Sequence, residues 1–568
     1  MNKTAIFRIM VGLLAIYGSL SSVSAQTLNV HTGNVTYLFP ATQCGEMTYQ
    51  DGTKLTILNK TFTLSDIGSI TIDDAEVTEN LVSINYNGTV TTVTVAGNVA
   101  QYITPTVNGA HVSITQSNTE AVNGDEITYL LSGTTSNGSF ALEGSYKCSI
   151  VLDGVTLTNP SGAAISINNS KRIQISAKKG TENTLTDGSN GSQKACLYSK
   201  GQIQLQGNGT LNVAGYTKHA IKSGDYISIK NLTLNITKAV GDGISCNKYF
   251  QQRSGTINIS GIGDDGIQTD LEEDDTTTGE TEDHEDENSA NVYIEGGTLT
   301  ITNSASGGKG IKATGGVNIS DGTIDIKVTG SNIKSGTDTT AAKGIKADGS
   351  ITISGGSVKA TASNHEAIES KSTMTITGGT VYAFSTSDDA INSASHMYLK
   401  GGTVSGISNG NDGIDANGNM YISGGTILAC GAGQPECGLD AAERYALYIT
   451  GGTVLGIGGG NNTVTATTGS QCVVSSTGTV TAGNTVSVKS GSTILASFTV
   501  PTGYSPSSGG GGGPGGGGRP GGGPGGGGSS SGFSYLLSCP GLTSGSSYTI
   551  TIGSSSSTAK ASTSYSGR

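Results

Sequence analysis

Short apolar runs of period two recur at a fixed interval in the middle of the chain. Between residues 343 and 426 one unit repeats every 23 residues. Its equivalent apolar positions are Ile345, Ile368, Ile391 and Ile414. In the second unit this isoleucine is followed by Met374 and Ile376 and then, after a Gly-Gly step, by Val381 and Ala383. Because apolar residues that alternate with polar ones indicate β-strands, each unit predicts three short strands joined by bends.

Three strands in each repeated unit predict a single-stranded, right-handed parallel β-helix with about 23 residues per coil. Each coil can bury its apolar stripe only against the coils above and below it. A propeller blade would need about 40 residues and four longer strands, which fits poorly. Upstream, Leu197, Ile221, Ile244 and Ile267 follow one another at steps of 24, 23 and 23 residues. We therefore predict an all-β protein with almost no helix.

The repeat and the regions around it predict four segments. Residues 1–25 are typical of a cleaved signal peptide, because basic residues precede an apolar run and small residues end it. Residues 26–98 predict a small β module, and residues 99–462 predict the parallel β-helix. Residues 463–568 predict a C-terminal β module that contains a flexible Gly/Pro-rich loop at 507–531.

Two steps between coils are longer than one unit and indicate insertions at bends. The step from Ile267 to Ile311 is 44 residues, and the acidic stretch 271–289 accounts for most of the excess. This stretch has no repeat register to hold its carboxylates together, so it predicts a solvated, disordered loop. A second insertion lies at 331–341. Insertions in solenoids often collect on the working side.

Composition and charge narrow the classes of partner and location. The chain has 568 residues with 89 glycines, no tryptophan and a net charge of −12, which disfavours nucleic acid and favours cations. The signal peptide predicts a secreted or cell-surface protein of the bacterial envelope or the extracellular space. Its apolar run is too short to be a membrane anchor, so no membrane span is expected in the mature chain. The oligomeric state stays open.

Eight cysteines in an exported chain raise the question of disulfides. Cys430 and Cys437 enclose a short loop and are the preferred pair, and Cys472 with Cys539 is a second candidate. Cys246 falls in register with inward-facing small residues, and we predict that it lies in the core.

Charged residues recur at coil positions next to the repeated isoleucine. Equivalent residues of successive coils stack about 4.8 Å apart, so a repeated residue type forms a ladder. The candidate cation ligands are Asp242, Asp264, Asp265, Glu366, Asp389, Asp412 and Asp415. Two carboxylates about 5 Å apart repel by about 3 kcal/mol at an effective dielectric constant of about 20, and a cation would offset this repulsion. Oxygen ligands from several coils favour Ca²⁺ over Mg²⁺ or Zn²⁺. The alternative is a solvated acidic edge.

Lysines interrupt the acidic ladder, and tyrosines recur on the middle strand. The candidate saccharide-binding residues are Lys309, Lys312, Lys343, Lys346, Tyr398, Tyr421 and Tyr448. Lysines and bound cations together would attract an acidic polysaccharide, whereas the alternative is ion pairing between coils. Alternation places the tyrosines outward, where they would form a flat surface for a sugar ring or stabilise the sheet surface.

The patterns D-G-I, K-G-I-K-A and S-G-G-T-[VI], with the runs 150–177 and 195–200, carry a family resemblance. Over roughly 127–552 the chain resembles the bacterial carbohydrate-binding parallel β-helix family, which is related in shape to pectate lyases. The resemblance implies an extracellular, calcium-binding protein that binds plant-type polysaccharides, including acidic galacturonans. It implies a cation role for the aspartates of the D-G-I or D-A-I pattern, which are Asp242, Asp265, Asp389 and Asp412. Lys309 and Lys343 depart from that pattern.

We therefore expect a secreted, calcium-dependent polysaccharide-binding protein, with galacturonan-like acidic plant glycans as the preferred class. One alternative is a polysaccharide lyase, in which calcium assists β-elimination and a lysine removes the proton. No single residue is marked as the base, so no catalytic residue is predicted. A non-catalytic surface adhesin is the other alternative.

Overall fold

The structure, a computed structural model, describes residues 26–45, 47–271, 288–442, 444–460, 471–507 and 532–565. They fall into unit 1, which runs to Ala239, and unit 2, which begins at Val240. The helices among these residues are three short 3-10 turns, at Ala41–Gln43, Leu64–Asp66 and Ala100–Tyr102. In the described ranges no helix is long and apolar enough to cross a membrane. The predicted all-β class with almost no helix is confirmed, and the predicted signal peptide lies outside these ranges.

Unit 1 begins with antiparallel strands and continues into parallel ones. The first strands are Thr27–Thr32, Val35–Pro40, Thr48–Gln50, Lys54–Ile57, Lys60–Thr63, Ser69–Asp73, Leu81–Asn87, Val90–Ala96 and Ile103–Asn108. Among them, Leu81–Asn87 already pairs in parallel with Ile127–Thr135, the next strand of its stack. The parallel sheet of unit 1 therefore includes a strand from the predicted N-terminal module.

The remaining strands of unit 1 form three parallel stacks. The first contains Ala110–Gln116, Gly138–Gly144, Ile165–Asn168, Ala195–Ser199 and His219–Ser223. The second contains Ile127–Thr135, the first half of Cys148–Asn159, Ile173–Ala177, Ile203–Gly207 and Ile227–Lys230. The third contains the second half of Cys148–Asn159, then Glu182–Asp187, Thr210–Ala214 and Thr233–Lys238. Unit 1 thus contains a parallel β-solenoid.

Unit 2 is built in the same way, and we name its stacks I, II and III. Stack I contains Ile244–Cys246, Ile267–Thr269, Ile311–Ala313, Ile345–Ala347, Ile368–Ser370, Ile391–Ser393, Ile414–Ala416 and Leu439–Ala441. Stack II contains Phe250–Gln252, Val292–Ile294, Val317–Ile319, Ile351–Ile353, Met374–Ile376, Met397–Leu399 and the first halves of Met420–Cys430 and Leu447–Gly458. Stack III contains Thr256–Ile259, Thr298–Asn303, Thr323–Val328, Ser357–Ala362, Thr380–Ser385, Thr403–Ser408 and the second halves of the last two strands.

The recurring apolar residues of the sequence are direct register partners in stack I. Ile345 pairs with Ile368, Ile368 with Ile391, and Ile391 with Ile414. These side chains are fully buried or nearly so, together with the methionines and isoleucines of stack II. The predicted parallel β-solenoid is confirmed, and its right-handed winding stays a prediction.

The two insertions have different outcomes. Residues 331–341 contain a two-stranded antiparallel ribbon of Ile333–Ser335 and Asp338–Thr340. Of the acidic stretch 271–289, residues 272–287 lie outside the described residues, so its prediction as a disordered loop is untested.

The Gly-Gly step explains how stacks II and III meet. Gly402 has φ +78°, a conformation that glycine adopts without steric cost. A Cβ added there would lie 2.7 Å from the carbonyl oxygen of Gly379 in the preceding coil. Both the backbone angle and the close approach of neighbouring coils therefore require glycine at the second position of this Gly-Gly step.

The C-terminal strands of unit 2 are antiparallel. They are Val473–Gly478, Thr485–Ser490, Thr493–Thr499, Phe533–Ser538, Ser547–Ile552 and Ser555–Lys560. Phe533–Ser538 pairs antiparallel with the last strand of stack III and with Val473–Gly478. Apolar residues of these strands pack on the outer face of stack III, against Ile407, Cys430 and Ile457. Most of the predicted Gly/Pro-rich loop lies outside the described residues.

The position of the C-terminal strands also bears on the cysteines. Cys430 alternates with the inward Ala429, so it faces outward and is buried beneath the C-terminal strands. Cys430 and Cys437 are buried thiols rather than a disulfide, and the same holds for Cys472 and Cys539. Neither predicted pair is formed in this structure, whereas Cys246 is buried in the core as predicted.

Candidate functional site

The aspartates of the D-G-I pattern link successive coils of unit 2 through one carboxylate oxygen. Asp389 Oδ1 accepts a hydrogen bond of 3.1 Å from the backbone N–H of Asp412, and Asp412 Oδ1 accepts one from the N–H of Cys437. Asp265 Oδ1 accepts a 2.7 Å hydrogen bond from the N–H of Lys309. The carboxylate thus satisfies a backbone donor at a bend, where strand pairing does not reach. The second oxygen meets other side chains, since Asp389 Oδ2 accepts a 2.8 Å hydrogen bond from Asn392 and Asp265 Oδ2 lies 3.7 Å from Lys312 Nζ.

Four carboxylates form what we call the acidic cluster. Two lie at the bend before a stack I strand, and two lie on stack I itself. The members of the cluster are Asp389, Asp412, Asp415 and Asp440, which are 5%, 7%, 8% and 7% exposed. Asp415 and Asp440 are register partners on stack I. Asp412, Cys437 and Asp440 each offer one ligand atom, a carboxylate oxygen or the thiol sulfur. These three atoms lie within 4.8 Å of one another. The predicted ladder therefore exists, but these carboxylates are buried and do not form a solvated edge.

Burial and charge repulsion raise the pKa values of Asp389, Asp412 and Asp415 in the acidic cluster. Burial is the largest cause for Asp389, and the charges of Asp412 and Asp388 add to it. Burial likewise comes first for Asp412, followed by the charges of Asp440 and Asp415. Burial also raises the pKa of Asp415, with further contributions from Asp389 and Asp440.

The acidic cluster has amide donors close by. Asn392 donates hydrogen bonds to Asp389 at 2.8 Å and to Asp415 at 3.0 Å. Within the part of the chain that the structure describes, Asp389, Asp412 and Asp415 form no ion pair with lysine, arginine or histidine. Because an ionised carboxylate is costly to bury without a counter-charge, these groups are chemically suited to hold either protons or a cation.

A second group, which we call the lysine network, contains its own counter-charges. It consists of the carboxylates Glu366, Glu369 and Asp388 and the bases Lys343, His365 and Lys371. Lys343 Nζ lies 3.0 Å from Glu366 and also contacts Glu369. Burial lowers the pKa of His365, but hydrogen bonds with Asp388 and Glu366 outweigh it and raise the pKa to about 9. His365 is therefore a cation at neutral pH, and the network has three charges of each sign.

The third group surrounds Asp265. Asp242, Asp264 and Asp265 offer ligand atoms within 4.8 Å of one another. Asp265 is 1% exposed, and Lys309 and Lys312 lie 4.0 and 3.7 Å from its two carboxylate oxygens. Burial raises the pKa of Asp265 to about 7, although Lys309 opposes the shift. The seven predicted cation ligands thus separate into three groups, of which two already contain basic side chains.

The predicted saccharide-binding lysines differ in their access to solvent. Lys309 and Lys343 are buried, and Lys309 donates a 2.6 Å hydrogen bond to the carbonyl of Gly307. Lys312 and Lys346 are half-buried, and Lys346 pairs with Asp348 at 2.6 Å. The lysines are therefore engaged with carboxylates in the structure, in line with the ion-pairing alternative.

The three predicted tyrosines form a ladder on stack II. Tyr398 and Tyr421 stack with ring centroids 5.1 Å apart and planes 7° apart, and Tyr421 and Tyr448 repeat the arrangement at 5.1 Å and 10°. His396 meets the rings of Tyr398 and Tyr421 edge-on, and the ammonium of Lys400 lies 5.1 Å from the centroid of Tyr398. The rings face one another, so they do not form the flat outward surface that the sequence suggested.

Several residues of these groups were missed in the sequence. His365 and Lys371 lie outside the repeated charged positions, so nothing in the sequence marked them as counter-charges. Asp440 was not among the missed residues, because it follows Leu439 as Asp415 follows Ile414 and the repeat places it in the same column. His396 stands one residue before the inward methionine, where the neighbouring coils carry different residue types.

Comparison with known proteins identifies a family for part of the chain. Residues 108–390 match the model of the family described as "Carbohydrate-binding domain-containing protein". This segment is therefore a carbohydrate-binding domain of that family, and the predicted family resemblance is confirmed for it. A carbohydrate-binding domain implies a polysaccharide partner.

Two known proteins are similar to parts of the chain. A carbohydrate-binding domain-containing protein of Acetivibrio thermocellus is 30% identical over 111 residues, which are 18% of this chain and 39% of that protein. The chain thus spans well under half of that relative's length. The solved structure of the polysaccharide lyase-like protein from C. thermocellum is 23% identical and covers 48% of this chain and 95% of its own, with a TM-score of 0.36.

Proposed function

We propose that the protein is an exported, calcium-dependent polysaccharide-binding protein that holds Ca²⁺ at the acidic cluster. The observation that carries the proposal is the burial of Asp389, Asp412 and Asp415 beside one another without a basic partner among the described residues. A divalent cation would offset both their repulsion and the cost of burying their charge. Export rests on the signal-peptide pattern of residues 1–25.

The donor set supports calcium as the cation. Carboxylate oxygens from several coils, with backbone carbonyls at the bends, match the oxygen ligands and flexible geometry that Ca²⁺ accepts. The thiol of Cys437 lies beside Asp412 and Asp440 and is a ligand type of Zn²⁺ instead. The lysine network does not need an ion, because its bases already balance its carboxylates. We therefore assign calcium to the acidic cluster rather than to all seven predicted ligands.

An acidic glycan is the substrate class that fits such a site. A bound Ca²⁺ with an open coordination position attracts a uronate carboxylate, and the half-buried Lys312 and Lys346 add positive charge along the same stack. The tyrosine ladder of stack II offers further hydroxyl groups and ring edges. Galacturonan is thus the preferred ligand.

The test measures binding of calcium and of galacturonan to the wild type and to Asp415→Asn. Titration calorimetry should detect Ca²⁺ binding in the wild type and at least tenfold weaker binding in the variant, with Zn²⁺ titrated in parallel. Galacturonan retention should disappear with chelator and in the variant. Asp325→Asn is the matched control, because the Asp325 side chain is about half exposed and its ion-pair partner among the described residues is Lys359 at the surface. Equal calcium affinity of Asp415→Asn and the wild type would refute the proposal.

A polysaccharide lyase is the second candidate, and Lys309 is the observation that favours it. Burial lowers the pKa of Lys309, as a lysine base requires. The same ammonium donates to the carbonyl of Gly307 and lies 4.0 Å from Asp265, so it is already engaged within the protein. Binding is therefore the better-supported function. Ultraviolet absorbance of an unsaturated product, formed from galacturonan and lost in Lys309→Met, would establish the lyase instead.

A further inference from the structure

Unit 1 contains a polar cleft of about 530 Å³ far in sequence from the acidic cluster. Its floor comes from the second stack, where Thr128, Ser149 and Gln174 are register partners on three successive strands. Their side chains alternate with buried ones and face outward. The cleft therefore has a row of hydroxyl and amide groups, one per coil, along the direction in which the strands stack.

Tyr146 lines the cleft, and its backbone is anchored by two hydrogen bonds. The carbonyl of Tyr146 accepts hydrogen bonds from Asn169 at 2.8 Å and from Gln116 at 3.4 Å. The ammonium of Lys147 lies 5.9 Å from the centroid of the ring. An aromatic ring beside a row of polar groups provides an apolar face together with hydrogen-bonding partners.

Carboxylates and a tight turn form another wall of the cleft. Val122 and Asp125 exchange two backbone hydrogen bonds across Asn123 and Gly124, both of which have positive φ. Asn123 donates a 3.0 Å hydrogen bond to Glu79. The hydrogen bonds from Asn123 and Gln43 lower the pKa of Glu79, so that it stays ionised. This wall is rigid and offers acceptor oxygens.

The charges of the lining select against acidic ligands. Glu79, Asp125 and Glu126 line the cleft with one basic residue, Lys147. Glu126 is additionally engaged by Arg172. A uronate would meet excess negative charge here, whereas uncharged hydroxyl groups find both donors and acceptors.

We propose that this cleft is a second saccharide site, which binds a neutral oligosaccharide along the stack without calcium. Gln174, Ser149 and Thr128 hydrogen-bond hydroxyl groups of successive sugars, and Tyr146 contacts the apolar face of one ring. Its size lies in the range of pockets that bind small ligands. The site is independent of the calcium proposal, since no member of the acidic cluster contributes to it.

The test uses the full chain in chelator and a panel of neutral hexasaccharides of β-1,4-linked glucose, mannose and xylose, with galacturonate hexasaccharide alongside. Calorimetry should detect binding of at least one neutral hexasaccharide. Gln174→Ala and Tyr146→Ala should each lower the affinity for it at least tenfold. Gln206→Ala is the matched control, an outward glutamine of the next coil outside the cleft. Asp415→Asn should leave neutral binding unchanged.

Three results would overturn the proposal. The first is that no neutral hexasaccharide binds. The second is that Gln174→Ala binds the ligand as tightly as the wild type. The third is that Gln174→Ala and Gln206→Ala lose equal affinity for it. Thermal unfolding of each variant checks folding, and Gln174→Ala changes only a half-buried surface side chain. The chelator removes calcium, so the two proposals are tested separately. Loss of neutral-sugar binding would not refute the calcium site, and loss of calcium binding would not refute the neutral-sugar site.

Discussion

The ammonium of Lys343 lies 3.0 Å from the carboxylate of Glu366, in the column that carries Asp389 and Asp412 one and two coils further on. A protein cation thus occupies the acidic ladder in one coil, while Asp389, Asp412 and Asp415 have no basic ion-pair partner among the described residues. The departure of Lys343 from the D-G-I pattern is therefore compensated within the chain. The ladder divides into a part that neutralises itself and a part that is suited to a metal ion.

Lys343→Met should destabilise the protein by about 3 kcal/mol, because it leaves the buried carboxylates of Glu366 and Glu369 with fewer counter-charges. The change is measured by denaturant unfolding in chelator. Lys346→Met serves as the control, since Lys346 pairs with the exposed Asp348 and should cost less than about 1 kcal/mol. Similar losses in the two variants would contradict the assigned role of Lys343.

His365 should make stability depend on pH above neutrality. Its pKa is raised to about 9 in the folded protein, so its stabilisation is fully present below the unfolded pKa of about 6.5 and is lost as the pH rises through about 9. The contribution is at most about 3 kcal/mol. The unfolding temperature, measured from pH 6 to 10, should fall over this window in the wild type.

His365→Gln should flatten that fall, because the amide does not titrate. Both proteins are measured in chelator, so that calcium binding does not enter the comparison. An unchanged pH profile in His365→Gln would show that another group causes the dependence.

Asp412→Asn should have opposite effects with and without calcium. The asparagine keeps an oxygen that can accept the hydrogen bond from the N–H of Cys437, and it removes one charge from the acidic cluster. In chelator the variant should therefore be more stable than the wild type by about 1–3 kcal/mol at pH 8. The increase in unfolding temperature on adding calcium should be smaller in the variant. A variant less stable than the wild type in chelator would mean that the cluster does not repel itself.

Gly402→Ala should cost at least about 3 kcal/mol, because it combines a left-handed backbone with a Cβ 2.7 Å from the carbonyl oxygen of Gly379. Gly491→Ala isolates the first effect, since Gly491 has φ +58° and no atom within 4 Å of the added Cβ. The free energy of unfolding of Gly491→Ala should fall by only about 1 kcal/mol. Denaturant unfolding of both variants separates the backbone cost from the coil-to-coil contact.

The sequence predicted the stacking because the signal is local and repeated. The interval between Ile345 and Ile368 determines which residues become neighbours, and the charged columns follow from it. Whether Asp389 is exposed depends on what covers it, and no periodicity within the repeat carries that information. Likewise, the charge of His365 depends on Asp388 from the following coil, a contact that its own coil position does not indicate.

One long-range feature, the covering of stack III, leaves a signal in the sequence. Outward positions of stack III carry Lys359 and Thr361 in one coil but Leu428 and Cys430 in a later one. This change from polar to apolar residues indicates a covered surface. It would have placed the C-terminal strands on stack III and shown that Cys430 points away from the loop containing Cys437.

The antiparallel strand Phe533–Ser538 has a consequence for self-association. One edge of this strand pairs with residues 454–458, the last strand of stack III. Its other edge pairs with Val473–Gly478. A solenoid that ended at residue 458 would leave the backbone groups of that strand free to pair with the first coil of another molecule. Because Phe533–Ser538 occupies these groups, the C-terminal strands cap the edge of stack III and block strand addition there by another molecule.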